Sequence, residues 1–130
     1  GSGVLSIAAK KLGAERVVSV EFDEDCKGNF YENLELNGLS NDIPIYFEDV
    51  LNWKDLNFDY ILANINKNVI VKLIPILSKV QSTNILLTGL LNENKPEVLS
   101  LLEQNNFEVI EHTNKGEWML VSIKKIKKIN

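Results

Sequence analysis

Two periods of apolar residues take turns along this chain, a helical one and a strand one. After Gly1-Ser2-Gly3, the residues Leu5, Ala8, Ala9 and Leu12 fall at helical spacing, and Gly13 stands where a helix stops. Residues 16–21 follow with the β-branched run Val17-Val18-Ser19-Val20, which reads as a buried strand ending in Glu21. Asp23-Glu24-Asp25 makes an acidic helix start, with Asp23 as its cap. The inner stripe of that helix is Cys26, Phe30 and Leu34, which puts Cys26 in the core, and Asn37-Gly38 ends it. Residues 43–47 form a short strand that Pro44 assigns to an edge, and it ends in Glu48-Asp49. A polar and aromatic loop with one helical turn around Trp53 comes next.

The second half repeats the alternation. Residues 58–63 are a strand that ends in Asn64-Ile65-Asn66. Asn68 caps a helix with Ile70, Leu73, Ile74 and Leu77 on its apolar face, and Pro75 inside that pattern predicts a kink or a split. Residues 84–88 are a strand closed by Gly89. Asn92 or Asn94 caps a further helix, with Pro96 in its first turn and Val98, Leu101 and Leu102 inward. Residues 107–113 and 117–123 are strand-like and joined by Asn114-Lys115-Gly116, a hairpin. Strands alternating with helices and closed by a hairpin predict an α/β layered domain, its sheet mostly parallel with one antiparallel strand.

Composition narrows the chemistry more than the fold. At 130 residues, 45% hydrophobic and 25% charged, the chain has material for one core. A net charge of −4 argues against a broad nucleic-acid face. The one basic cluster, Lys124-Lys125-Ile126-Lys127-Lys128, reads as a solvated end. Cys26 and His112 are the only cysteine and histidine, so no disulfide and no zinc cluster can form within the chain. His112 reads as structural. No run is apolar enough to span a membrane and no signal peptide is visible, which leaves the cytoplasm as the expected compartment.

In an open parallel sheet a ligand sits at the carboxyl ends of the strands. The residues placed there are Gly1, Gly3, Glu21, Asp49, Asn64 and Gly89. A glycine turn opening a helix lets a ligand approach backbone N–H groups, although Gly-Ser-Gly is also what a linker looks like. An acid at the tip of the next strand suits ribose hydroxyls, or is simply solvated. Phe22 would lie on an adenine ring or pack in the core. Trp118 reads as a core or domain contact rather than a ligand stack. A nicotinamide dinucleotide site needs a third glycine where Ser6 stands, so that class is set aside. Spacing alone therefore yields a nucleoside-containing cofactor and an amine-like acceptor.

The runs GSGVLSIAAKKLGAERVVSVEFDE, ENLELNG, ANINKNV and GEWMLV resemble the catalytic domain of the bacterial ribosomal protein L11 methyltransferases, over nearly the whole chain. The resemblance implies a class I S-adenosylmethionine-dependent methyltransferase fold over residues 1–125, followed by a basic tail at 126–130. Family members carry an N-terminal substrate-recognition domain, then a strand and a first glycine. That strand belongs between the ones at Val17 and Phe58, so the chain is expected to be truncated at its N-terminus, with the first strand missing.

By the same resemblance Gly1 and Gly3 would pass close to the methionyl part of S-adenosylmethionine, and Glu21 would accept both ribose hydroxyls. Asp49, rather than Glu48, would contact the adenine amino group. Asn64, beside the methyl group, would bind cofactor and act in catalysis, with Thr88 and Gly89 lining the far side. Asn66 and Asn68 are weaker candidates. The implied reaction moves methyl groups to lysine side-chain and α-amino groups of a large-subunit ribosomal protein, with no metal, membrane or direct nucleic-acid partner. The alternatives are a related methyltransferase acting on another protein or a small molecule, and a non-catalytic nucleoside-binding or interaction fragment.

Overall fold

The computed structural model describes residues 3–54, 56–80 and 84–126. Gly1, one of the expected cofactor residues, lies outside the described residues, as do Lys127 and Lys128. Two compact units divide the chain, residues 1–53 and 54–130.

The first unit starts with helix α1 (Val4–Lys11), whose last turn carries Lys10 and Lys11 where a helix favours cations. Strand β1 (Ser19–Val20) runs parallel to β2 (Ile45–Tyr46). Both are shorter than the hydrophobic runs predict: among the described residues the ladder pairs Ser19 with Ile45 and Val20 with Tyr46, and Ser19 N–H on Pro44 O and Glu21 N–H on Tyr46 O, each at 3.0 Å, bracket it. Between the strands, Asp23 caps a 3₁₀ turn over Glu24–Cys26, its Oδ1 accepting the Asp25 N–H at 2.9 Å, as the acidic start predicts. Helix α2 (Lys27–Leu36) begins only after that turn. Cys26 is therefore out of phase with the inner stripe. It is half-buried rather than in the core, and its thiol faces Asp23 O. The core is Ile7, Phe30, Leu34 and Ile43, with Val17, Leu39 and Ile45 packed against it.

In the second unit a four-stranded sheet has the order β3-β4-β6-β5, with β3 spanning Tyr60–Asn64, β4 Asn84–Leu91, β5 Phe107–Lys115 and β6 Trp118–Lys125. Strands β3 and β4 are parallel, and β6 is antiparallel to both its neighbours. The α/β architecture with one antiparallel strand is as expected. Among the described residues, however, the strands make two sheets, one per unit, and β3 lies at an edge of its own.

Three details depart from the sequence reading. Gly89 does not close β4. The β4–β6 register breaks between Leu87 and Leu90, where Gly89 takes φ +81°, and resumes at Leu90↔Met119 and Leu91↔Trp118. The antiparallel partner continues past the glycine, so the position is a bulge inside a strand. The hairpin turn is tighter than predicted, since Lys115 pairs with Trp118 and leaves only Gly116 and Glu117 between. Lys124 and Lys125 belong to β6, not to a solvated end: Lys124 Nζ lies 3.7 Å from Glu108, and desolvation lowers the pKa of Lys125.

Helices α3 (Lys67–Leu77) and α4 (Lys95–Gln104) lie against one another, α3 also meeting β4 and α4 meeting β5. Pro75 does not split α3. It sits two residues from the end, where little helix remains to be broken. The apolar stripe Ile70, Leu73, Ile74 and Leu77 is buried, and so are the cross-strand pairs Ile85–Ile123, Leu87–Val121 and Leu90–Met119. Ile74 is fully enclosed at 0% exposure, so Ile74→Ala is expected to cost about 2–5 kcal/mol in urea unfolding. Truncating Leu12, 89% exposed, is expected to change stability by less than about 0.5 kcal/mol.

Candidate functional site

Parallel strands deliver their carboxyl ends to one side, so Glu21 after β1 and Asp49 after β2 leave the first sheet at the same end. Glu21 is half-buried, and its Oε1 accepts a long N–H contact from Asp23 at 3.4 Å. Asp49 has a structural role as well: its Oδ1 caps a 3₁₀ turn over Val50–Asn52 by accepting the Leu51 N–H at 3.0 Å. A carboxylate has further acceptor sites, so the cap does not exhaust it. Glu48, the competing acid, is exposed. Phe22 is 76% exposed, which removes it from the core and leaves its ring on the surface.

Gly3 shows why this position excludes a side chain. It has φ +82°, and a Cβ would lie 2.6 and 2.8 Å from the Phe30 ring. The close approach is thus to the unit's own core. No side chain caps α1, so the donors of its first turn stay available to an anionic group. The Ser6 and Ser19 hydroxyls are hydrogen-bonded to each other, which ties α1 to β1. Trp53 packs on Tyr46 with ring centroids 4.9 Å apart and is held by the fold.

In the second unit β3 ends in Asn64, exposed and paired in register with Thr88. The next residue continues the contact, Ile65 N–H donating to Thr88 O at 3.3 Å. Asn66, not Asn68, then caps α3, its Oδ1 accepting the Val69 N–H at 3.1 Å. The cap lies earlier than predicted because Lys67 and Asn68 are already helical. Gly89 faces this turn across the bulge. A Cβ built on it would lie 2.8 Å from Asn64 Oδ1 and 2.8 Å from Ile65 O. Asn64, Thr88 and Gly89 are therefore brought together.

Beside them opens a cleft of about 270 Å³, lined by Asn66, Lys67, Asn68, Gly89, Leu91, Asn94 and Trp118. Lys67 is paired with Glu97 at 3.1 Å. Asn94 precedes α4 and accepts the Leu91 N–H at 3.0 Å. Trp118 is 52% exposed and is not a core residue. The strand period contained that answer: Met119, Val121 and Ile123 are buried, so Trp118 points to the other face. His112 is exposed on β5. Among the described residues no group of three or more His, Cys, Asp or Glu could hold a metal, and no helix is long and apolar enough to cross a membrane.

A family profile described as "Ribosomal protein L11 methyltransferase (PrmA)" matches residues 1–126. The chain is 33% identical over 132 residues to the ribosomal protein L11 methyltransferase of Prochlorococcus marinus strain AS9601, covering 96% of this chain and 44% of the relative. It is 36% identical over 120 residues to that of Pediococcus pentosaceus, covering 91% and 38%. Its length is thus about two fifths of these relatives. The crystal structure of the ribosomal protein L11 methylase from Lactobacillus delbrueckii subsp. bulgaricus superposes with a TM-score of 0.89 at 31% identity, over 97% of this chain and 66% of that one. A Streptococcus pneumoniae structure described as "a putative tRNA (m1A22) methyltransferase, in complex with S-adenosyl-L-methionine" has a TM-score of 0.77 at 16% identity, over 99% of this chain and 65% of that one, a likeness of fold.

The capping geometry makes its own prediction. Asn66→Ala is expected to lower stability by about 1 kcal/mol in urea unfolding, and Asn68→Ala by less than about 0.5 kcal/mol.

Proposed function

The chain belongs to the ribosomal protein L11 methyltransferase family, and from that premise we propose that it is the S-adenosylmethionine-binding, methyl-transferring part of such an enzyme. The acceptors in this reading are lysine side-chain and α-amino groups of the large-subunit ribosomal protein, and the compartment is the cytoplasm. Residues 1–125 would form the methyltransferase domain and 126–130 a basic tail.

The residues of the first unit fit such a cofactor by their chemistry. A half-buried carboxylate at Glu21 suits a ribose diol, which offers two hydroxyl donors. Asp49 keeps acceptor capacity for the adenine amino group beyond its cap. The start of α1 behind Gly3, which no side chain caps among the described residues, offers N–H donors to the methionyl carboxylate. When bound, S-adenosylmethionine supplies a methyl carbon already activated by its sulfonium.

What this chain must then provide is alignment rather than a strong base. An amine nucleophile has to be neutral, with its lone pair aimed along one line. The observation that carries the reading is the pair of carbonyl oxygens at the end of β3: Asn64 Oδ1 and Ile65 O lie side by side next to Gly89, each 2.8 Å from where its Cβ would stand. Two acceptors hold two N–H bonds of a primary amine, which leaves the lone pair free to point elsewhere. Among the described residues neither oxygen receives a hydrogen bond from the protein, so both remain for the acceptor.

Methyl transfer from S-adenosylmethionine to purified ribosomal protein L11 tests the reading in the intact protein. Asn64→Ala is expected to lower kcat by roughly 100-fold or more while S-adenosylhomocysteine affinity changes by less than about three-fold. Wild-type turnover in that variant would end the alignment role. Glu21→Ala is expected to weaken S-adenosylhomocysteine binding by about 1–3 kcal/mol in calorimetry, as for loss of a hydrogen bond to a charged group. Unchanged affinity would remove Glu21 from the site.

A further inference from the structure

We infer that Gly89 is a positioning residue: by lacking a side chain at the β4 bulge, it keeps Asn64 Oδ1 and Ile65 O open to the acceptor amine. This rests on the reading of Asn64 as the residue that aligns the amine.

Three observations meet at this position. The first is conformational. Gly89 has φ +81°, a backbone state that a side chain disfavours, and it interrupts a β4–β6 ladder that is regular on both sides. The second is steric. A Cβ there would stand 2.8 Å from Asn64 Oδ1, 2.8 Å from Ile65 O and 3.1 Å from Ile65 N, all well inside contact distance. Two of those three atoms are backbone and cannot swing away as a side-chain tip can. The third is topological. The parallel β3–β4 register ends at Asn64↔Thr88, and Thr88 and Gly89 are the two residues between the regular parts of the β4–β6 ladder, so the bulge includes the partner of Asn64.

These facts separate two uses of a left-handed glycine. Gly38, at the end of α2, has φ +69° and nothing within 4 Å of its Cβ position, so its requirement is backbone conformation alone. Gly89 carries a similar conformation and a second requirement besides, an empty volume shared by two acceptor oxygens. A methyl group placed in that volume would cover both oxygens and push the Asn64 amide out of its place. The amine would then lose one or both of the hydrogen bonds that set its direction, while the groups of the first unit that recognise the nucleoside keep theirs.

The test is a double-mutant cycle in the intact protein, with Gly38→Ala as the control for backbone strain. Gly89→Ala is expected to lower kcat for methyl transfer to ribosomal protein L11 roughly 10- to 100-fold, with S-adenosylhomocysteine affinity within about two-fold. In the Asn64→Ala background the same substitution is expected to cost clearly less than in the wild type, because only the Ile65 carbonyl is then left for the methyl group to cover. Wild-type kcat in Gly89→Ala, beside a slow Asn64→Ala, would overturn the role of Gly89 and leave the alignment reading standing. Fully additive losses would overturn it too. A wild-type rate in Asn64→Ala would remove the alignment reading, and this inference with it. If Gly89→Ala is too unstable to assay, a higher Tm for the Asn64→Ala, Gly89→Ala pair than for Gly89→Ala alone assigns part of the clash to Asn64 Oδ1, and no gain overturns the inference.

Discussion

The second unit depends on β4 being satisfied on both of its edges at once. On one side β3 runs parallel to it and ends at Asn64. On the other, β6 runs antiparallel and continues to the end of the strand. The buried pairs along β4 and β6 alternate with less buried ones, and the stripe of α3 is likewise enclosed, with Ile70, Ile74 and Leu77 at 0% exposure. A strand held this way has little freedom to shift, because a one-residue slip would turn every buried side chain outward. The bulge at Gly89 is the one place where the β4–β6 ladder yields, and it yields beside Asn64. Rigid packing on both sides of an irregular residue is what lets a functional group be held in an irregular place.

The first unit is organised by a smaller contact, the Phe30 ring lying against the Cα of Gly3. This brings the start of α1 onto α2, and Ile7, Leu34 and Ile43 complete the cluster. Its two strands have only two residues each, so the sheet contributes little compared with that packing. The acids that follow them are doing local work already. Asp49 caps a turn, and Asp23 caps another that also orients the Cys26 thiol. A glycine turn beside a helix start is therefore explained here by core packing and, in the proposed reading, by ligand access as well. The two explanations make the same demand on the residue and do not compete.

Much of this was legible in the chain. Helix and strand periods located every element, and the residues expected at the strand ends, Glu21, Asp49 and Asn64, are found there. Part of what escaped turns on partners distant in sequence. Gly89 reads as a stop because glycine usually ends a strand. Only the antiparallel β6 carries the ladder past it. Asn66 and Asn68 are equally good caps by type, and the choice between them is set by where β3 releases the chain. Lys124 and Lys125 look like a tail until β5 is placed next to them, with Glu108 within ion-pair reach. Cys26 fell out of the apolar stripe because the acidic stretch before it makes a turn of its own.

The face of Trp118 shows how the same logic reaches function. Alternation along β6 buries Met119, Val121 and Ile123, and this forces Trp118 outward beside Leu91 at the cleft. Nothing in the core requires a tryptophan at that place. Among the described residues that line the cleft, the Asn66, Asn68 and Asn94 amides are uncharged and Lys67 is already paired to Glu97. Such a surface offers an arriving amine oxygen acceptors without a net charge to repel it or a strong base to compete for its proton. An alignment mechanism asks for those conditions. They are set by the strand that follows the hairpin and the turn that follows β3, both fixed by the packing of β4.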